Sequence, residues 1–181
     1  MMLAKAALTA MIDCIAEPDL SLSDEARIAD LLRQCFPTDF GGRSFYQQRP
    51  HMRLVWRDRQ ILSHLSLFLR AIRLGDELVD VLGIGDVATA PDARGCGHAT
   101  ALLDHAVHKA GRARFAILIG DRTLYDRAGF VAQSNPFRHL RIEGARTVEI
   151  TDQTSPFLRV RPLADSAWPK AERVDFLGPL F

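Results

Sequence analysis

Apolar residues along the chain fall mostly into strand-length blocks between polar turns, and two stretches repeat instead at helical spacing. Ile28, Leu31, Leu32 and Cys35 recur three and four apart, which predicts one buried helix face. The run Ser21-Leu-Ser-Asp-Glu25 just before them offers a serine cap and acidic residues suited to the positive end of the helix dipole. Ala99, Leu102, Leu103, Ala106, Val107 and Ala110 line a second helix, with Gly111 at its end. Met52 to Arg57 and Ile61 to Leu74 are joined by only Asp58-Arg59-Gln60, too short for a parallel crossover, so they pair antiparallel. After the tight turn Gly75-Asp76-Glu77 comes a third strand, Leu78 to Thr89, with Gly83 and Gly85 inside it. Glycine there marks a bulge, or a close approach by a ligand or another backbone. Phe115 to Ile119 reads as a central strand, and Asp121 to Arg127 as one or two helical turns ended by Gly129. Phe137 to Ile142 and Phe157 to Val160 are further strands separated by polar loop, and Thr38 to Pro50 is a loop or short helix. The pattern predicts a mixed α/β (α+β) domain over residues 1–181, with a first strand within residues 1–20 and C-terminal strands and tail over 145–181. The sheet is mostly antiparallel, with one strand–helix–strand unit.

Composition narrows the classes. The 181 residues carry 23 Lys+Arg against 22 Asp+Glu, a net charge of +1, which argues against a broad nucleic-acid or membrane binder. Hydrophobic residues at 48% and charged residues at 25% describe a packed globule and not a disordered chain. No apolar run approaches the roughly 20 residues of a membrane helix. The N-terminal MMLAKAALTAMIDCIAEP is interrupted by Asp13 and Glu17 and reads as a strand in preference to a signal peptide. Cys14, Cys35 and Cys96 are odd in number and far apart, matching neither zinc spacing nor a disulfide framework, so a reducing cytoplasm is expected.

The strongest chemical signal runs from a strand into a helix: Val87-Ala-Thr-Ala-Pro-Asp-Ala-Arg94-Gly-Cys-Gly97-His-Ala99-Thr100. A helix start exposes unpaired amides and partial positive charge that suit phosphate oxygens. Gly95 and Gly97 leave room for a close phosphate, and Arg94 adds a charge-assisted contact. An ordinary glycine-rich turn is the plain alternative. A dinucleotide fingerprint does not fit, because its last small position falls on Thr100, and the G-K-[ST] of a Walker loop is absent. The second signal, Gly120-Asp-Arg-Thr-Leu-Tyr125-Asp-Arg-Ala-Gly129-Phe130, follows the apolar strand.

Together these two elements resemble the GCN5-related N-acetyltransferase (GNAT) superfamily. Arg94, Gly95, Gly97 and Ala99 fit its R-x-x-G-x-G/A pattern, and Tyr125-x-x-x-Gly129-Phe130 is similar to its later motif. Arg49-Pro50 to Glu77 and Ala167-Trp168 to Pro179 are similar, more loosely, to NodA-type acyltransferases. The first of these stretches is also similar to the aminoglycoside 2'-N-acetyltransferases. The resemblance implies a GNAT fold with splayed central strands and transfer of an acyl group, most often acetyl, from acyl-CoA to a primary amine. Backbone groups of Val87, Ala88 and Thr89 would meet the pantetheine and acyl carbonyl, and the amides of Arg94, Gly95, Cys96, Gly97, His98, Ala99 and Thr100 the pyrophosphate. Tyr125 occupies the position of a general acid, against the alternative of a tyrosine packed beside the cofactor. Because both narrower relatives acylate amino sugars, a small-molecule amine of that kind is the implied acceptor. A longer-chain acyltransferase and a non-catalytic acyl-CoA-binding module are the alternatives.

An ammonium acceptor must lose a proton before it attacks. Asp86 is the best-placed base, or else an anchor for the ammonium, and Asp80 and His64 are weaker candidates. The aminoglycoside relatives tend to carry Glu where this chain has Gly85. Asp121 reads as a cap for the helix bearing Tyr125. His105 and His108 point to solvent with no further ligands, so no metal is expected. Arg70 and Arg73 read as a strand's wet face, Trp168 as a tail anchor, and Cys96 as a small turn residue. The acceptor is expected to enter across Gly41 to Pro50, and a homodimer is compatible with the chain.

Overall fold

The structure, a computed structural model, describes residues 11–163 and 165–181. The part of the expected N-terminal strand that falls on residues 1–10 lies outside them, and strand β1 begins at Met11 (Met11–Ala16). Helix α1 (Leu22–Cys35) starts at Ser21, whose side chain accepts the Asp24 amide, and buries Ile28, Leu31 and Leu32. Strands β2 (Met52–Asp58), β3 (Gln60–Leu74) and β4 (Glu77–Thr89) form the antiparallel meander predicted by their short connections. Helix α2 (His98–Val107), strand β5 (Phe115–Ile119) and the short helix α3 (Thr123–Arg127) follow. The chain ends through β6 (Val131–Ala132), β7 (Phe137–Glu143), β8 (Arg146–Gln153), β9 (Leu158–Pro162) and β10 (Val174–Asp175).

The ten strands among the described residues make one sheet, ordered β6-β9-β5-β4-β3-β10-β7-β8, with β2 also on β3 and β1 on β2. Among these described strands only the β4–β5 and β10–β7 pairs are parallel. The long β3 bonds β4 on one side, and on the other is shared between β2 near its start and β10 near its end. Alternation along these strands sorts residues onto two faces. One carries Leu54, Leu65, Leu67, Leu82 and Ile84, packed with Leu102, Leu103 and Ala106 of α2. The other is covered by α1 at one end, over Val55 and Ala88. At its other end it is covered by the C-terminal tail, where Phe176, Trp168 and Phe181 pack over Ile72, Val79 and Val81.

Two expectations are corrected. The polar stretch after Ile142 is not a loop: Arg146–Gln153 is strand β8. Its exposure along nearly its whole length hides the usual strand pattern. Pairing with β7 across a turn at Gly144 and Ala145, both with positive φ, holds it in place. Cross-strand pairs of Arg138 with Asp152 and Arg141 with Glu149 add to that pairing. Arg70 does not line a wet face. It is half-buried and donates to the carbonyls of Phe176 and Pro179, at 2.6 and 2.7 Å. Trp168 is a tail anchor, its Nε1 donating to Asn135 Oδ1 at 2.8 Å and its ring edge-on to Phe115.

Candidate active site

The parallel pairing of β4 with β5 runs only from Val81–Phe115 to Gly83–Ile117. Beyond Gly83 the two strands part, and a cavity of about 820 Å³ occupies the gap. One wall is Ile84 to Thr89 of β4, and the other is Leu118 to Asp121 with Leu124 and Tyr125. The cavity continues to the start of α2, where Arg94, Gly95, Gly97, His98, Ala99 and Thr100 line it. Gly97, the residue capping α2, has φ +84 and no side chain caps the helix start. Both Gly95 and Gly97 face open space, with nothing within 4 Å of where a Cβ would stand. Unpaired amides at the mouth of a cavity make an anion site.

Every residue expected to meet a cofactor lines this cavity except Cys96, which is exposed and turns its thiol toward the Arg94 carbonyl. Arg94 itself is exposed, its Nε donating to Thr89 O at 3.3 Å beside the Cys35 sulfur. Arg122 and Arg127, at the two ends of α3, also line the cavity; the sequence pattern did not single them out.

Tyr125 is buried against Phe130 and sits close over Gly120, where a Cβ would meet its ring at 2.5 Å. Burial pushes its phenol above the ordinary value, so the group keeps its proton at neutral pH, as an acid must. Asp121 does not cap the helix: the capping position is Arg122, without a side-chain bond, and Asp121 is exposed beside it.

Asp86 owes its place to a bulge. His64 pairs with Ala88 and Ser66 with Gly85, so Asp86 and Val87 together oppose Leu65. Asp86 takes φ +52, a conformation that costs a non-glycine residue on the order of 1–3 kcal/mol. Two bonds hold it: Ser66 Oγ donates to its Oδ2 at 2.7 Å, and His64 Nδ1 meets its carbonyl at 3.0 Å. Burial raises the carboxyl to about 6, against the opposing Ser66 hydrogen bond and the Arg53 charge. A carboxyl titrating there is ionised at neutral pH yet basic enough to take a proton.

His64 is unsuited to that task. It is fully enclosed, and burial, with the Arg53 charge, lowers its pKa to about 3. Its Nδ1–H donates to Asp86 O, leaving Nε2 to face an Arg53 nitrogen at 3.5 Å. Arg53 is completely buried, forked onto Glu17 at 2.7 and 2.9 Å and bonded to Ser44 O. Burial pushes the Glu17 carboxyl up, and hydrogen bonds from Arg53 and Arg49 more than offset this, holding it below the usual range. Asp80 is exposed near the far end of β4, outside the cavity lining.

Phe36, Asp39, Phe40, Tyr46 and Phe181 also line the cavity. The stretch Gly41 to Pro50, read as the acceptor's entrance, supplies Tyr46, with Asp39 and Phe40 just before it, and the Tyr46 backbone amide faces the Asp86 carboxylate. Sequence reasoning missed Phe36, Asp39, Tyr46, Ser66, Arg53 and Phe181 as site residues. The cluster of aromatics between Phe36 and Tyr46 was the available signal. Among the described residues no group of three or more His, Cys, Asp or Glu is placed to hold a metal ion.

The model of the acetyltransferase (GNAT) domain matches residues 19–132, spanning both elements of the cleft. The chain belongs to the GNAT family. It is also similar to Nodulation protein A of Sinorhizobium fredii, 31% identical over 100 residues, covering 50% of this chain and 48% of that protein. Nodulation protein A of Bradyrhizobium elkanii is 31% identical over 106 residues, covering 52% and 50%. The chain thus spans about half the length of the curated relatives it matches. Among GNAT structures, the N-acetyltransferase YhbS of Escherichia coli, solved with CoA, aligns over 97% of this chain and 93% of its own, with TM-score 0.64 and 21% identity. An acetyltransferase of Brucella melitensis, solved with acetyl-CoA, aligns over 91% and 94%, with TM-score 0.56 and 17% identity. At these identities the likeness is one of fold.

Proposed function

We propose that this GNAT protein transfers an acetyl group from acetyl-CoA to a primary amine of a small molecule by direct attack. One observation carries the reading: a single cavity joins the uncapped start of α2, the gap between β4 and β5, Tyr125 and Asp86. The amides from Arg94 to Thr100, in a cavity also lined by Arg122 and Arg127, suit a diphosphate. The gap beyond Gly83 suits a pantetheine arm along Val87, Ala88 and Thr89, whose free strand edge offers backbone partners. GNAT relatives solved with CoA and acetyl-CoA support this donor.

In the proposed reaction the acceptor's ammonium gives a proton to Asp86, and the free amine attacks the thioester carbonyl carbon. The carbonyl electron pair moves onto oxygen, returns, and expels the CoA thiolate, which takes the Tyr125 proton; the amide nitrogen gives its second proton to the Tyr125 phenolate through solvent, and Asp86 releases the first proton to solvent. A phenol and a thiol differ by only about 1.5 pKa units in water, and burial that raises the Tyr125 phenol also disfavours a bare thiolate leaving into the same cleft. Holding donor and amine in one cleft supplies much of the remaining advantage. Asp86 and Asp39 both line the cavity, which supports a cationic acceptor. Phe36, Phe40 and Tyr46 around it support one with a ring body, such as an amino sugar or aminoglycoside-like amine.

Calorimetric titration with acetyl-CoA tests the donor, and CoA release across amino sugars, aminoglycosides, polyamines and amino acids tests the transfer. Binding without release on any amine would favour a non-catalytic acyl-CoA-binding module. Absence of binding at millimolar acetyl-CoA would remove the reading altogether.

A further inference from the structure

The apex of the cleft, where β4 and β5 part at Gly83, is filled by a residue nearly a hundred positions downstream. A Cβ at Gly83 would overlap the Phe181 ring, and one at Gly85 would stand 2.7 Å from the Phe181 carbonyl carbon. Both positions are glycine because the tail lies directly on the strand. This also accounts for the departure from the aminoglycoside relatives at Gly85: a glutamate there would collide with the tail.

The tail is fastened, not draped. Arg70 donates to the carbonyls of Phe176 and Pro179, and the Gly178 carbonyl accepts the Leu140 amide at 2.9 Å. The Phe181 ring sits 5.9 Å from Phe68 and 5.5 Å from Phe176, with the Arg70 guanidinium 5.0 Å from its centre. This ring lines the same cavity as Asp86 and Tyr125. By strand register it shares a sheet face with Ser66, the partner of the Asp86 carboxylate.

We propose that Phe181 is a specificity-determining residue that closes the cleft beyond the thioester and limits the donor to acetyl-sized acyl groups. The proposal rests on the acyl-CoA reading of the cleft. A longer chain running from the gap toward the apex meets a ring packed on backbone below and on two aromatics beside it. Interiors packed to crystal density leave no room for added methylenes. Replacing the ring by a methyl group leaves a channel over Gly83 and Gly85, floored by backbone and walled by Phe68 and Phe176. Each methylene buried there should tighten binding roughly fourfold.

The test is calorimetric titration of the wild type, Phe181→Ala and Phe181→Leu with acetyl-CoA, butanoyl-CoA and octanoyl-CoA. Expected is a wild type that binds octanoyl-CoA no more tightly than acetyl-CoA. In Phe181→Ala the octanoyl-to-acetyl affinity ratio should rise at least tenfold, with Phe181→Leu between the two. The leucine variant keeps the experiment decisive if the alanine variant does not fold. A wild type that prefers octanoyl-CoA tenfold, or ratios unchanged in the folded variants, overturns the proposal and leaves the acyl-CoA reading standing. Failure of all three acyl-CoA molecules to bind the wild type overturns that reading, and the proposal with it.

Discussion

The two ends of the cleft are built by opposite strategies. The α2 end is a contiguous run, Arg94 to Thr100, whose chemistry lies in backbone amides and open space around two glycines. Its side chains are exposed or half-exposed and make few bonds. The Asp86 end is assembled from α1, loop 38–50, three strands and the last residue of the chain. Its chemistry lies in one side chain held by a buried network through Ser66, His64, Arg53 and Glu17. A diphosphate can be met by generic helix-start geometry. Tuning a single carboxyl requires burial and placed partners, which only long-range packing supplies.

The comparison breaks most visibly in stability. Arg53→Met removes a fully buried charge that is forked onto Glu17. Breaking such a pair should cost roughly 3–5 kcal/mol in denaturant unfolding. Arg94→Gln at the other end, an exposed side chain, should stay within about 0.5 kcal/mol of the wild type. Equal losses in the two variants would erase the distinction drawn between the ends.

Next in size is chemistry where the two ends meet. Tyr125→Phe should lower kcat roughly 100-fold, the scale of a lost general acid, while acetyl-CoA affinity measured by titration changes little. A drop confined to affinity would assign Tyr125 to packing beside the cofactor and not to proton transfer.

The same contrast explains what could be read from the residues. The α2 turn and the β2–β4 meander follow from local patterns: helical spacing, three-residue turns, a glycine-rich bend; Tyr125 was singled out by the resemblance of Tyr125-x-x-x-Gly129-Phe130 to a family motif. Gly83 and Gly85 signalled a close approach, but nothing local says that Phe181 makes it. Arg70 looked like a solvent-facing strand residue because its partners, the Phe176 and Pro179 carbonyls, are more than a hundred positions away. Strand β8 escaped because its exposure removes the alternation that burial imposes. The Asp86 bulge is a mismatch in register between two strands, visible only once they are paired.

A third prediction concerns Asp86 and pH. Its carboxyl titrates at about 6 in the folded protein against an ordinary 3.8. The folded state therefore holds this proton more tightly than the unfolded chain. The associated stability is present below about pH 4, is lost as pH rises to about 6, and is flat above. On the usual conversion the loss is about 2–3 kcal/mol. Asp86→Asn should remove that fall, read as the difference between variant and wild-type unfolding at pH 4 and pH 7.5. In turnover the wild-type kcat/KM should rise with pH through about 6 as Asp86 ionises, and the variant should lack that limb.

The smallest effect is the most discriminating. Ser66 Oγ donates to Asp86 Oδ2 at 2.7 Å, and a donor on a carboxylate favours its charged form. Ser66→Ala withdraws that donor without altering net charge, and Ser66 is fully buried, so water is poorly placed to replace it. The Asp86 pKa should rise further, moving the kcat/KM limb to higher pH by roughly half a unit to one unit, the scale of one hydrogen bond. Activity well above the limb should recover most of the wild-type value, because the carboxylate is then formed in both proteins. If Asp86 only anchors the ammonium, its ionisation governs acceptor binding, and the limb appears in kcat/KM but not in kcat at saturating acceptor; a base keeps a limb in both. A shifted limb in kcat as well as in kcat/KM for Ser66→Ala therefore separates base from anchor, which the loss of activity in Asp86→Asn alone does not.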